Sequence, residues 1–116
     1  MIINSKRKLK SLIQELGLKN LKVGAISGGV DIFHDGHKLA LEFSSDQVDR
    51  LFVLVNSDKS IRTYKGINRP YNTYSQRVNL LDKKFPKNIY VKINDLTPNN
   101  LLEKIRPNIY FLSQEW

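Results

Sequence analysis

The sequence predicts an α/β protein in which a parallel sheet of about four strands carries helices on both faces. Two observations lead there. Segments with apolar residues at helical spacing alternate with short apolar runs, in the order α-β-α-β-α-β-α-β. The run Arg50 to Asn56 is apolar and β-branched without polar alternation, as a strand covered on both faces requires.

Asn4 or Ser5 caps a first helix whose apolar positions Leu9, Leu12, Ile13 and Leu16 follow the i, i+3, i+4, i+7 rule. Gly17 is its expected C′ stop, and residues 1–19 form a leading amphipathic segment. Leu21 to Ile26 reads as a strand ending at Ser27-Gly28-Gly29. From Gly36 to about Val48, Leu39, Ala40, Leu41 and Phe43 mark a second helix, followed by the strand Arg50 to Asn56. Ser57 to Asn72 is a polar loop containing Gly66 and Pro70, long enough to be functional. Thr73 opens a helix with Val78, Leu80, Leu81 and Phe85 as its apolar residues and Pro86 as its stop. Ile89 to Ile93 is the third strand. Thr97-Pro98 forms an N-cap/N1 pair for a helix carrying Leu101, Leu102 and Ile105, and Asn108 to Leu112 is the fourth strand. Neither a repeat nor a linker interrupts residues 1–116, so a single domain is expected.

Composition narrows the chemistry. With 41% hydrophobic and 26% charged residues the chain has the balance of a globular domain. It contains no cysteine, which excludes disulfides, thiolate zinc sites and cysteine nucleophiles. The longest apolar run, Leu51 to Val55, falls far short of the ~20 residues that span a bilayer, so no membrane association is expected. Lys6-Arg7-Lys8 leads into no apolar stretch of leader type, and a cytoplasmic location is expected. The net charge of +8 is concentrated in residues 1–22 and between Asn56 and Arg77. The first cluster sits on a helix-like segment and reads as a solvated face. The second sits in a Gly/Pro-containing stretch, where phosphate binding has more weight.

Both histidines fall in His34-Asp35-Gly36-His37, after the first strand and a Gly-Gly turn and at the start of a helix. Two histidines three apart at a helix start share a face. The helix N-terminus offers unpaired N–H groups and a dipole that favours anions, and a nearby phosphate favours charged imidazoles. Gly28 and Gly29 admit close backbone approach, and Gly36 leaves room above the helix end. Two other readings stand beside this one: surface histidines, or zinc ligands completed by Asp31 or Asp35. Neither G-x-G-x-x-G nor the Walker phosphate loop is present.

Ser27-Gly28-Gly29-Val30-Asp31-Ile32-Phe33-His34-Asp35-Gly36-His37 resembles the first signature of the cytidylyltransferase-like nucleotidyltransferases, the H-x-G-H class. A second block, Val55-Asn56-Ser57-Asp58 with Ser60, Arg62, Lys65-Gly66, Arg69-Pro70 and Arg77, is similar to the adenylyltransferase half of bifunctional heptose kinase/adenylyltransferases. Glycerol-3-phosphate cytidylyltransferases are similar too. The resemblance covers residues 8–116 and implies a Rossmann-like, HUP-type parallel sheet.

The resemblance also implies an activity: transfer of a nucleoside monophosphate from ATP or CTP to a phosphorylated sugar or polyol such as a heptose 1-phosphate. Pyrophosphate is released, and Mg²⁺ accompanies the triphosphate without direct protein ligands. His34 and His37 would hold the triphosphate and stabilise the transferring group, with Lys65 and Arg77 as the other catalytic residues. Ser27, Gly28, Gly29, Asp31, Gly36, Glu115 and Trp116 would bind the nucleotide. Asp58, Lys65 and Arg69 would serve the acceptor, Asp58 by capping the loop. Asp31 reads equally as a turn-stabilising aspartate, and Arg69 equally as an exposed loop residue. Lys59 and Arg62 read as solvated charges, and Tyr64, Tyr71 and Tyr74 as base-stacking residues or small local cores. A homodimer is implied, and nucleic acid is not an expected partner.

The sequence departs from the family pattern in three places. Ser113-Gln114-Glu115-Trp116 keeps an acid-Trp pair but lacks the glycines that line the base pocket. The Ser/Thr-rich signature that opens a later helix has no counterpart, so the family's C-terminal helix is expected to be missing. Position 29 is glycine where relatives carry a side chain. These departures keep a non-catalytic nucleotide-binding module or fragment as the alternative to an enzyme, with a basic nucleic-acid-binding domain third.

Overall fold

The computed structural model describes residues 1–112. It contains strands β1 (Ile2–Ile3), β2 (Val23–Gly28), β3 (Arg50–Asn56), β4 (Ile89–Ile93) and β5 (Ile109–Phe111). Its helices are α1 (Lys6–Leu18), α2 (Asp35–Asp46), α3 (Asp58–Lys65), α4 (Tyr74–Lys84) and α5 (Asn99–Ile105). The strands form one parallel sheet in the order β1-β4-β3-β2-β5. The architecture is the α/β, Rossmann-like one expected, with five strands instead of about four. The additional strand, β1, pairs Ile2 with Tyr90 and Ile3 with Val91. Two residues carry no periodicity, so only the pairing reveals it.

Alternation along the central strands separates two cores. Phe52 and Leu54 of β3 face α1 and α5, packing with Leu9, Leu12, Leu16 and Ile105. Leu51, Val53 and Val55 face α2 and α4, packing with Leu41, Val78 and Leu81. All six residues from Leu51 to Asn56 are buried, which explains the unbroken apolar run.

Local chemistry places the helix ends. Ser5 caps α1 by accepting from the Lys8 N–H at 3.2 Å. The helix continues through Gly17 to Leu18, correcting the expected stop; the left-handed residue beyond it is Asn20, at φ 55°. Thr73 caps α4 in a reciprocal box with Gln76, as the Thr73 start predicts. For α5 the expected Thr97 cap is displaced: Pro98 occupies the cap position without a side-chain bond, and Arg106 closes the helix at φ 49°. In α2 the expected apolar residues Leu39 and Phe43 are 65% and 61% exposed, and Leu41 is the buried one.

The expected loop from Ser57 to Asn72 contains helix α3 over its first half. Ser57 caps it by accepting from the Ser60 N–H at 3.1 Å. Ser60 then donates to the Asp95 carbonyl at 2.9 Å and accepts from Asn56 Nδ2 at 3.0 Å, which fastens α3 to the ends of β3 and β4. Ile61 is the one fully buried apolar side chain of α3, so no hydrophobic period announces this helix.

Candidate functional site

In the strand order the chain runs outward from β2 through β3 to β4, and β5 returns on the other side of β2. The order therefore reverses beside β2, the place where such sheets open a crevice at their carboxyl ends. Gly28 lies opposite Val55 in the register, so the turn leaving β2 sits beside the end of β3. Within that turn Val30 is buried and left-handed, at φ 51°. A β-branched residue there stores on the order of 1–3 kcal/mol of backbone strain, which the contacts around it hold in place.

His34 and His37 form the N-terminal cap of α2. The Gly36 N–H donates to His34 Nδ1 at 3.0 Å, and the His34 N–H donates to His37 Nδ1 at 3.1 Å. The rings stack with centroids 3.8 Å apart and planes 29° apart. His34 is exposed, whereas His37 is buried beneath it against Phe33. The expected shared face is thus present, and in this arrangement each Nδ1 is occupied as the acceptor of a backbone N–H.

Asp31 is 4% exposed and anchors the far side of the turn. Its carboxylate accepts from Arg69 Nε and from the Tyr71 and Asn72 N–H groups, each at 2.8 Å, and Asn72 Nδ2 donates to its carbonyl at 2.6 Å. Burial pushes the carboxyl upward, but the Tyr71 and Asn72 N–H groups and the Arg69 guanidinium together outweigh it and hold the group below its ordinary value. Of the two readings of Asp31, the geometry supports loop stabilisation. Arg69 is drawn into the same loop and lies 4.4 Å over the Tyr71 ring, so it is more than an exposed loop residue.

Arg77 differs from its expected place. It is 2% exposed. Nη1 donates to the carbonyls of Gly29 at 2.6 Å and Asn56 at 2.8 Å, Nε donates to the Asn72 carbonyl at 3.1 Å, and Nη2 pairs with Asp58 Oδ1 at 2.8 Å. The guanidinium thus ties the β2 turn, the end of β3 and the loop before α4 to one another. Its buried position makes it a positioning residue instead of one reaching substrate from α4. Asp58 also accepts from the Tyr74 N–H at 2.8 Å, so it caps α4, close to the expected loop-capping role.

The other expected residues are dispersed around this frame. Lys65 ends α3 and is exposed. Ser27 exchanges a short hydrogen bond with the Tyr110 hydroxyl, linking β2 to β5. A Cβ at Gly29 would meet Ile61 at 3.4 Å, an ordinary contact, so the protein itself has room for a side chain there. Gly36 borders an apolar recess of about 330 Å³ formed with Ile26, Ala40, Phe43 and Phe111. Glu115 and Trp116 lie outside the described residues. Among the described residues no three His, Cys, Asp or Glu side chains gather as a metal-binding group; both carboxylate oxygens of Asp31 and Oδ1 of Asp58 accept from N–H donors. A larger cleft of about 440 Å³, bordered by Ile3, Lys6, Lys92 and Lys104, lies by β1 and β4; of the residues expected at the site only Tyr74 lines it.

Sequence reasoning missed Asn72, whose side chain, N–H and carbonyl all serve the Asp31–Arg77 frame. Its only local signal is its place between a cis Arg69–Pro70 bond and the Thr73 cap.

Residues 25–116 match the sequence profile of the family described as cytidylyltransferase-like. The bifunctional protein HldE of Azotobacter vinelandii is 36% identical over 84% of this chain, and that of Hydrogenovibrio crunogenus is 35% identical over 90%. The chain spans only 20% and 22% of the lengths of those two relatives. Among solved structures, the lipopolysaccharide core biosynthesis protein of Thermoplasma volcanium superposes with a TM-score of 0.69 at 22% identity, over 78% of this chain and 72% of that one. The pantoate–β-alanine ligase of Francisella tularensis superposes with a TM-score of 0.68 at 14% identity, over 95% and 55%. These two likenesses concern the fold.

Proposed function

We propose that this chain, which belongs to the cytidylyltransferase-like family, transfers a nucleoside monophosphate from a triphosphate to a phosphorylated sugar or polyol. ATP and a heptose-like 1-phosphate are the leading substrates, because the block from Val55 to Arg77 resembles the adenylyltransferase half of heptose kinase/adenylyltransferases and HldE proteins are among the relatives with similar sequence. CTP is the other donor to test. The observation that carries the reading is the histidine cap of α2: two imidazoles and a helix N-terminus gathered just beyond the Gly28–Gly29 turn. The helix dipole and an exposed Nε2 donor on His34 together suit a polyphosphate.

In this reaction a phosphate oxygen of the acceptor attacks the α-phosphorus while the bond to the bridging oxygen breaks, and pyrophosphate departs with that oxygen. Such transfers depend on alignment and on donors aimed at the equatorial oxygens. His34 supplies an exposed donor. His37 lies 4% exposed below it and fixes its backbone. Lys65 reaches from the end of α3 toward the acceptor phosphate, and Arg69 bounds the same loop. Magnesium enters as part of the substrate, with phosphate oxygens and water as ligands. The apolar recess by Gly36 and Phe111 is of a size to accept a nucleobase.

The test is to incubate the purified protein with magnesium–ATP or magnesium–CTP and a panel of sugar and polyol phosphates, following pyrophosphate and the nucleotide conjugate. Turnover with one pair supports the proposal. Triphosphate binding without turnover of any pair favours the second reading, a nucleotide-binding module, which the wholly internal commitments of Arg77 support.

A further inference from the structure

Helix α3 brings a tyrosine over the glycine turn. Ile61 is fully buried, and its Cδ1 lies 3.4 Å from where a Gly29 Cβ would stand. Tyr64 follows three residues later on the same face, and its hydroxyl lies 3.7 Å from that same position. The Tyr64 side chain is 50% exposed, and its hydroxyl has no hydrogen-bond partner among the described residues. The cations nearby are already engaged: Arg77 by Asp58 and three carbonyls, Arg69 by Asp31. Partial burial raises the phenol above 10.0 against the opposing charges of Arg77 and Arg69, so at neutral pH it remains an O–H donor.

The half-exposed Tyr64 hydroxyl therefore stands beside Ile61 at the edge of the glycine turn, where it can offer its O–H to an anion arriving from the open side. We infer that the Tyr64 hydroxyl donates a hydrogen bond to a phosphate group lying on the Gly28–Gly29 turn, making Tyr64 a substrate-binding residue of this site. The inference rests on the phosphate-binding reading above and adds a contact from α3 opposite the histidine cap.

The experiment measures equilibrium binding of magnesium–ATP and of tripolyphosphate to the wild-type chain, Tyr64→Phe and Tyr64→Leu, with thermal unfolding as the fold control. Tyr64→Phe keeps the ring and removes only the hydroxyl. It should bind both probes about 10-fold more weakly, the scale of a lost hydrogen bond to a charged group, with an unchanged melting temperature. Tyr64→Leu should resemble Tyr64→Phe. If Tyr64→Phe binds as tightly as wild type, the inference is overturned, and loss only in Tyr64→Leu would assign the ring to stacking instead. A wild-type chain that binds neither probe overturns the phosphate-binding reading itself, and this contact with it.

Discussion

Arg77 Nη1 donates to the carbonyl oxygen of Gly29 across 2.6 Å, joining α4 to a turn 48 residues earlier in the chain. The same guanidinium holds Asn56, Asn72 and Asp58, so the two sequence blocks that carry the candidate site meet at one buried cation. Arg77→Ala should lower unfolding free energy by about 3–5 kcal/mol, because several buried carbonyls and a carboxylate lose their donor together. Arg77→Lys should rescue little, since an ammonium cannot reproduce the planar fork. Urea unfolding checks both; a loss below about 1 kcal/mol in Arg77→Ala would show the network to be dispensable.

Asp31 makes stability depend on acid. Its folded pKa lies below its ordinary 3.8, so the native state binds that proton less readily than the unfolded chain. The resulting stabilisation is complete above the unfolded value and disappears as pH falls through the folded one. Asp31→Asn should therefore be less stable than wild type at pH 7 by about 1–3 kcal/mol, with the gap closing from about pH 5 downward. Urea midpoints measured across that range check this. A gap of constant size would mean that the carboxylate charge contributes nothing.

Gly24 is required by packing between β2 and β5. A Cβ there would stand 2.9 Å from Phe111 Cε2 and 3.0 Å from Val48 Cγ1. Gly24→Ala should destabilise the protein by about 1–3 kcal/mol through this overpacking, whereas Gly29→Ala, facing ordinary contacts, should leave the melting temperature near wild type. Parallel thermal melts of the two variants compare them directly, and equal losses would contradict the contact geometry.

The histidine cap should separate stability from activity. His34→Ala removes the acceptor for the Gly36 N–H, a loss of about 1 kcal/mol, and should reduce turnover by roughly 10²–10³. His34→Asn should restore most of the stability, because asparagine also caps helices, without restoring turnover. Denaturant unfolding and pyrophosphate release from the same preparations check the pair. Recovery of both properties in His34→Asn would make His34 a cap alone.

Much of the molecule was legible without coordinates. The strands β2, β3 and β4, the body of α1 and the Thr73 start of α4 follow from apolar spacing and cap residues. Helix α3 was hidden because Ile61 is its only fully buried apolar residue, and β1 because two residues have no period. The His34–His37 proximity was legible from their spacing at a helix start. Their arrangement as mutual cap acceptors was not, since it depends on which backbone N–H groups reach each Nδ1.

The order of the elements other than β1 and α3, the two-sided sheet and the gathering of glycines and histidines after the first long strand were determined by the sequence itself, because periodicity and capping act over a few neighbouring residues. Tertiary structure alone decided that Asp31 meets Arg69 and that Arg77 turns inward to Gly29 instead of outward to substrate. Those partners lie 38 and 48 residues apart. A charged side chain takes whichever partners the packed strands bring within hydrogen-bond reach, and no local pattern encodes that choice.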